Sequence, residues 1–153
     1  MSARQRGFTY VAMLFALVIF GLGLAAIGES WSAASRRDKE EELIQIGSAF
    51  ASAIGSYYEH SPTTPKAFPV RLDDLVEDKR FIGTMRHLRR LYRDPLTGST
   101  AWGMVRNADG GITGIYSVSD ALALRQQPLP MPNGAVVSGT RYSEWQFVYK
   151  VKQ

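Results

Sequence analysis

The 153-residue chain contains no cysteine and only two histidines, His60 and His87. Without cysteine there is no disulfide staple, no thiol nucleophile and no thiolate metal site. Neither histidine stands in a Ser, Asp or Glu pattern of a known catalytic kind. No glycine-rich phosphate loop and no spaced metal-ligand pair is present either. The chain therefore reads as a non-enzyme. Two further absences concern charge: nothing charged lies between Phe8 and Gly28, and nothing acidic lies between Lys79 and Arg93. The overall balance of +4 is mild and identifies no partner. No internal repeat is visible.

The uncharged run is rich in large apolar residues: Val11, Met13, Leu14, Phe15, Leu17, Val18, Ile19, Phe20, Leu22 and Leu24. At about 1.5 Å per helical residue, such a run matches the roughly 30 Å hydrocarbon core of a bilayer. Signal peptides have shorter apolar cores, roughly 7–15 residues. The expectation is a membrane-embedded helix over 8–28. No proline interrupts the chain that follows, and a charged cluster at Arg36–Glu42 leads into Leu43, Ile46, Phe50, Ile54 and Tyr57, spaced as one helical face. Gly47 and Gly55 weaken this helix by about 1 kcal/mol each relative to alanine, and Pro62 and Pro65 stop it. One helix from about Phe8 to His60 is expected, about 80 Å long if unbroken.

Arg6-Gly7-Phe8-Thr9 followed directly by the apolar run resembles the leader of type IV pilins and type II secretion pseudopilins. The segments Phe68-Pro69-Val70-Arg71-Leu72-Asp73-Asp74-Leu75, Arg93-Asp94-Pro95-Leu96-Thr97-Gly98 and Trp102-Gly103 are similar to major-pseudopilin heads; past about Ser119 the likeness fades. The resemblance implies an α+β fold with a long amino-terminal helix packed on a small antiparallel sheet. Its divisions would be a basic leader (1–7), a membrane half of the helix (8–28), an amphipathic half (29–60) and a globular head (61–153). It implies cleavage by a prepilin peptidase between Gly7 and Phe8, methylation of the new amino group at Phe8, and assembly from the bacterial inner membrane with the head in the periplasm. Implied partners are other pilin-like subunits, the peptidase, an inner-membrane assembly platform and membrane lipid. Phe8, Thr9, Ala12, Phe15, Phe20, Gly21 and Gly23 would form the assembly helix, and Gly21 to Gly28 the stretch that loosens on assembly.

One departure stands out: the family usually carries glutamate as its fifth mature residue, and Ala12 is there instead. A buried α-ammonium needs a carboxylate on a neighbouring helix, because an unpaired buried charge costs several kcal/mol. A subunit at the filament tip, or a lineage that pairs the charge otherwise, would each account for Ala12. Two other classes fit the same residues: a single-pass membrane protein with a non-polymerising periplasmic binding head, and a secreted protein cut near Ser32-Ala33-Ala34.

In the head, a short helical turn is expected over Leu72–Lys79, and helical spacing continues through Ile82, Met85, Leu88 and Leu91. Strand-like runs at Thr100–Arg106 and Ile112–Val118 flank a hairpin signal, Asn107–Gly111. Tyr142 to Val151 alternates like a strand with one buried face. Ala121 to Thr140, with Pro128, Pro130 and Pro132, reads as a long loop of the kind that carries binding. The basic segment Lys79–Arg93 pairs with the acidic turn Asp73–Asp78, of its own or an adjacent subunit, or is a plain solvated face, or grips anionic lipid or DNA. Nucleic acid is the weakest of these, since only Phe81 and Tyr92 are interleaved for stacking. Arg86, Arg89, Arg90, Asp73 and Asp74 are the subunit-contact candidates. No cofactor is required; Asp94, Asp109 and Asp120, with Asn107, are oxygen-ligand candidates for calcium.

Overall fold

The computed structural model describes residues 6–151, with side chains described over 9–21 and 34–151. The described residues form an α+β chain: helix α1 (Arg6–Glu59), strands β1 (Gly103–Arg106), β2 (Ile112–Tyr116), β3 (Leu129–Pro130), β4 (Val136–Val137) and β5 (Phe147–Val148), and 3-10 turns at Leu72–Leu75 and Tyr142–Glu144. Two compact units divide inside α1, Met1–Asp38 and Lys39–Gln153. The helix from Lys39 onward thus belongs to the same compact unit as the head.

In the first unit, every residue from 9 to 21 is helical and exposed. Among the described residues no helix is long and apolar enough to cross a membrane. Of the expected 8–28 span, the side chains of Phe8 and of residues 22–28 lie outside that description.

The second unit is built on the face of α1 that the three-to-four spacing marks. Leu43, Ile46, Phe50, Ile54 and Tyr57 are all buried, and they share one core with Leu75, Leu88, Trp102, Ile112, Ile115, Trp145 and Phe147. Phe50 is central, with the Trp102 ring at 5.6 Å and the Tyr92 ring at 6.3 Å. The two helix glycines have a use beyond their propensity cost. A Cβ at Gly47 would collide with the Phe147 ring and one at Gly55 with the Tyr149 ring, so both are places where the sheet side approaches the helix backbone.

The main sheet is antiparallel, ordered β1-β2-β5. Met104 pairs with Ile115 and Val105 with Gly114, a bulge follows before Arg106, and Gly114 and Ile115 pair onward with Val148 and Phe147. The Asn107–Gly111 hairpin forms as its sequence suggests: Asn107 Oδ1 accepts the Gly111 N–H at 2.8 Å, and the Asn107 N–H reaches the Gly111 carbonyl at 2.9 Å.

Three expectations are corrected. First, Ile82 to Leu91 is not helical. Gly83 takes φ 126°, outside the helical region, and the His87 and Leu88 N–H groups both bond the Leu75 carbonyl instead of making helical bonds. Ile82 is consequently 111% exposed while Leu88 is buried. Second, the carboxy-terminal strand is only Phe147–Val148. Trp145 and Phe147 keep the inward phase, but Val151 is exposed, and the Val148 carbonyl accepts the Asn133 side chain at 2.9 Å. Residues 142–144 are drawn into a 3-10 turn because the Glu144 carboxylate collects the Thr140 and Arg141 N–H groups at 2.7 and 3.3 Å. Third, Ala121–Thr140 is not a free loop. β3 and β4 pair within it, the Ala123 N–H bonds the Thr140 carbonyl at 2.9 Å, and Leu122 bridges to Arg141.

Candidate functional site

Three places in the chain hold side chains whose disposition calls for a function, and they differ in chemistry. The first is the exposed apolar stretch of α1. Tyr10, Val11, Met13, Leu14, Phe15, Leu17, Val18, Ile19 and Phe20 are all exposed, Phe15 at 66% and Phe20 at 73%. Thr9, Ala12 and Gly21 share this exposure, and a Cβ built on Gly21 meets nothing within 4 Å. Gly7 and Phe8 have helical backbone, and α1 is continuous through Gly21–Gly28; the surroundings of Gly7, Phe8 and Gly23, like Met1 to Gln5 altogether, lie outside the described residues.

The second is a buried polar knot joining α1 to the segment after the 3-10 turn. Asp78 is 1% exposed, and its carboxylate accepts Arg80 Nε at 2.9 Å and Nη2 at 2.7 Å, the Arg80 backbone N–H at 3.0 Å, and His87 Nε2 at 3.1 Å. Burial pushes the Asp78 carboxyl up, but the hydrogen bonds from Arg80 and His87 outweigh it and hold the group at about 2. The same guanidinium donates to Ser61 Oγ and to the Tyr57 carbonyl, both at 2.8 Å, and lies 3.4 Å from the centre of the Tyr57 ring. Burial, with the Asp78 and Asp74 charges, raises the Tyr57 phenol despite Arg80.

Ser56 Oγ stands 2.8 Å from His87 Nδ1, completing a Ser56–His87–Asp78 chain that sequence spacing did not suggest. Its composition is that of a hydrolase relay, yet its construction differs. Arg80 engages both oxygens of Asp78, the His87 side chain is 1% exposed, and Ser56 sits within α1, whose backbone donors are already engaged in helical bonds. What the chain does is brace the helix against residues 78–88. Glu40, read in the sequence as one of a charged cluster, makes a second brace. It is 7% exposed, and its Oε2 accepts the Leu124 N–H at 2.9 Å, the Arg125 N–H at 3.2 Å and the Tyr142 hydroxyl at 2.7 Å. Its position three residues before Leu43, on the buried phase of the helix, is the signal that distinguishes it from Glu41 and Glu42.

The third place is the outer surface around the basic segment. Only Arg80 and His87 turn inward to the acidic turn; Lys79, Arg86, Arg89, Arg90 and Arg93 are exposed, and among the described residues none of these five makes an ion pair. Arg90 lies over the Tyr92 ring at 5.3 Å and, with Arg93, lines a 220 Å³ cleft with Glu42. Asp73 pairs instead with Arg71 at 2.9 Å, and Asp74 accepts the Arg71 N–H at 2.9 Å. A larger cleft, about 410 Å³, is walled by Tyr58, Pro65, Phe68 and Val70, with Asn107 and Asp109 at its edge. The Tyr58 and Phe68 rings stack at 4.4 Å.

The calcium candidates are not brought together. Asp94 is fully buried, its oxygens accepting the Leu96 N–H at 2.9 Å and the Ser117 hydroxyl at 2.6 Å. Asp109 receives the Asn107 amide at 3.4 Å, and Asp120 receives the Ser143 hydroxyl at 3.0 Å. Among the described residues no group of three or more His, Cys, Asp or Glu is placed to hold a metal ion. No known protein family, curated protein or solved structure matches the chain.

Proposed function

We propose that this chain is a structural subunit of a type II secretion pseudopilus or type IV pilus-like filament, held in the bacterial inner membrane before assembly. A prepilin peptidase removes residues 1–7, Phe8 becomes the methylated amino terminus, and the apolar half of α1 passes from lipid into contact with the same segment of other pilin-like subunits on an assembly platform. The head faces the periplasm and carries no catalysis.

The observation that supports this most is the exposed apolar stretch of residues 9–21, none of which belongs to the buried core that starts at Leu43. Nine large apolar side chains in water there forgo on the order of 10 kcal/mol of burial. Lipid or neighbouring helices supply that burial. The leader-like Arg6-Gly7-Phe8-Thr9 favours a segment that uses both in turn. Ala12 leaves the Phe8 ammonium without the usual carboxylate, which suits a tip subunit or a lineage with another counter-charge.

The 410 Å³ aromatic-walled cleft favours a second reading, a single-pass membrane protein whose periplasmic head binds a partner and never polymerises. Mass spectrometry of the mature amino terminus, on protein purified from membranes of its native cell, separates the two. An N-methylated Phe8 is expected. An intact Met1 would favour the permanent anchor, and a start near Ser35 an exported soluble domain.

A further inference from the structure

The cleft of about 410 Å³ lies where the end of α1 meets the Asn107–Gly111 hairpin. Its walls are Tyr58 of the helix, Pro65, Phe68 and Val70 of the segment that follows, and Asn107 and Asp109 of the hairpin. These walls are pinned to one another. The Ile112 N–H bonds the Pro69 carbonyl at 2.8 Å, and the Arg106 guanidinium bonds the Val70 and Gly110 carbonyls at 3.3 and 2.6 Å. The Gly111 backbone comes so close to Phe68 that a Cβ there would collide with it. The Tyr58 and Phe68 rings stack at 4.4 Å, which fixes the aromatic wall. A preformed space of this size, with an aromatic wall and a few polar groups, has the make-up of a small-molecule site.

What the cleft offers defines the ligand's chemistry. Its charges balance: Lys66 is paired with Glu59, and the Asp109 carboxylate is offset by Arg106, which bonds the carbonyl of the next residue, Gly110. A charged ligand therefore gains little there. Hydrogen-bonding capacity is what stays open. Among the described residues Asp109 accepts only the Asn107 amide, at 3.4 Å, and the second N–H of that amide has no partner. A carboxylate only accepts and an amide N–H only donates, so a ligand that satisfies both must donate and accept. Hydroxyls do both. A proline-rich peptide, the other usual guest of an aromatic cleft, presents carbonyl acceptors and no N–H at its prolines, and leaves Asp109 unanswered. Val70, 65% exposed, with Pro65 and the two rings, calls for apolar C–H surface on the same ligand.

We infer that this cleft is a binding site for a neutral saccharide. A pyranose ring combines the two properties required, a C–H face that packs on an aromatic wall and a rim of hydroxyls. The C–H face lies against Tyr58 and Phe68, one hydroxyl donates to Asp109, and another accepts from the Asn107 amide. Because the walls are already pinned, little ordering is needed on binding. The inference does not rest on the assembly reading: every wall belongs to one head, so the site is complete whether or not the chain polymerises.

The test is ligand-observed saturation-transfer NMR on the full chain in lipid nanodiscs, with empty nanodiscs as the blank, titrated with cellotetraose and with chitotetraose. Saturable binding of at least one of them, with a Kd of about 1 mM or tighter, is expected. Tyr58→Ala and Asp109→Ala should each weaken it about tenfold, the first by removing the ring and the second by removing the acceptor. Tyr58→Phe, which keeps the ring, and Leu122→Ala, at an exposed site elsewhere on the head, should leave it unchanged. Near-UV circular dichroism reports whether each variant is folded; if Tyr58→Ala is not, Asp109→Ala decides. No saturation by either sugar up to about 10 mM would overturn the site. So would binding that survives Asp109→Ala at full strength, or a decaproline peptide that binds where neither sugar does.

Discussion

Phe15 and Phe50 lie on the same helix, yet one is 66% exposed and the other is fully buried. Around Phe50 the apolar residues keep one face and leave the other to Glu41, Glu42 and Ser52; around Phe15 they occupy every face. Hydrophobicity alone does not make a core. A one-sided stripe folds against a head of its own chain, whereas an all-round apolar surface needs lipid or a crowd of similar helices.

Substitutions can break that comparison. Phe50→Ala should destabilise the head by about 3–5 kcal/mol, from the lost burial and the cavity beside Trp102 and Tyr92. Phe15→Ala should leave head stability within about 0.5 kcal/mol while weakening membrane retention or assembly. Chemical denaturation followed by the head tryptophans checks both. Equal losses of stability would mean that the two halves of the helix are not independent.

Glu40→Ala should cost about 1–3 kcal/mol, because the Leu124 and Arg125 N–H groups and the Tyr142 hydroxyl lose their shared acceptor. Hydrogen exchange should rise first in residues 121–141. Acid supplies a third test of the head. The Asp78 carboxyl is held at about 2 in the folded head, against 3.8 for an ordinary aspartate. A lowered folded value stabilises above the unfolded value and is lost as pH falls through the folded one. Between about pH 4 and pH 2 the head should therefore lose about 2 kcal/mol, and Asp78→Asn should flatten that part of the profile. The smallest effect belongs to the surface: Arg71→Ala breaks a pair whose side chains are 74% and 61% exposed, and should change stability by less than about 0.5 kcal/mol.

How much of this was legible in the sequence depended on the range of the interaction. The buried face of α1 and the Asn107–Gly111 hairpin follow from local spacing and turn chemistry, and both formed as expected. The helix glycines were legible only as a cost, since Phe147 and Tyr149 lie about a hundred positions away from them. Ile82 to Leu91 had helical spacing, but its register was overridden by Gly83 and by a polar knot whose serine is 31 residues from its histidine. No window of local periodicity contains that pair. The candidate site divides the same way. Phe15, Phe20 and their neighbours stand exposed on the segment where an assembly helix was expected, while the largest cleft described on the head draws its walls from residues spread from Tyr58 to Gly111.

The most direct test of the two-part helix is fractionation of the full chain beside a version beginning at Lys39. The full chain should stay in membranes through alkaline carbonate extraction, while residues 39–153 should be soluble and unfold cooperatively. A full chain released by carbonate, or a shortened chain that fails to fold, would contradict it.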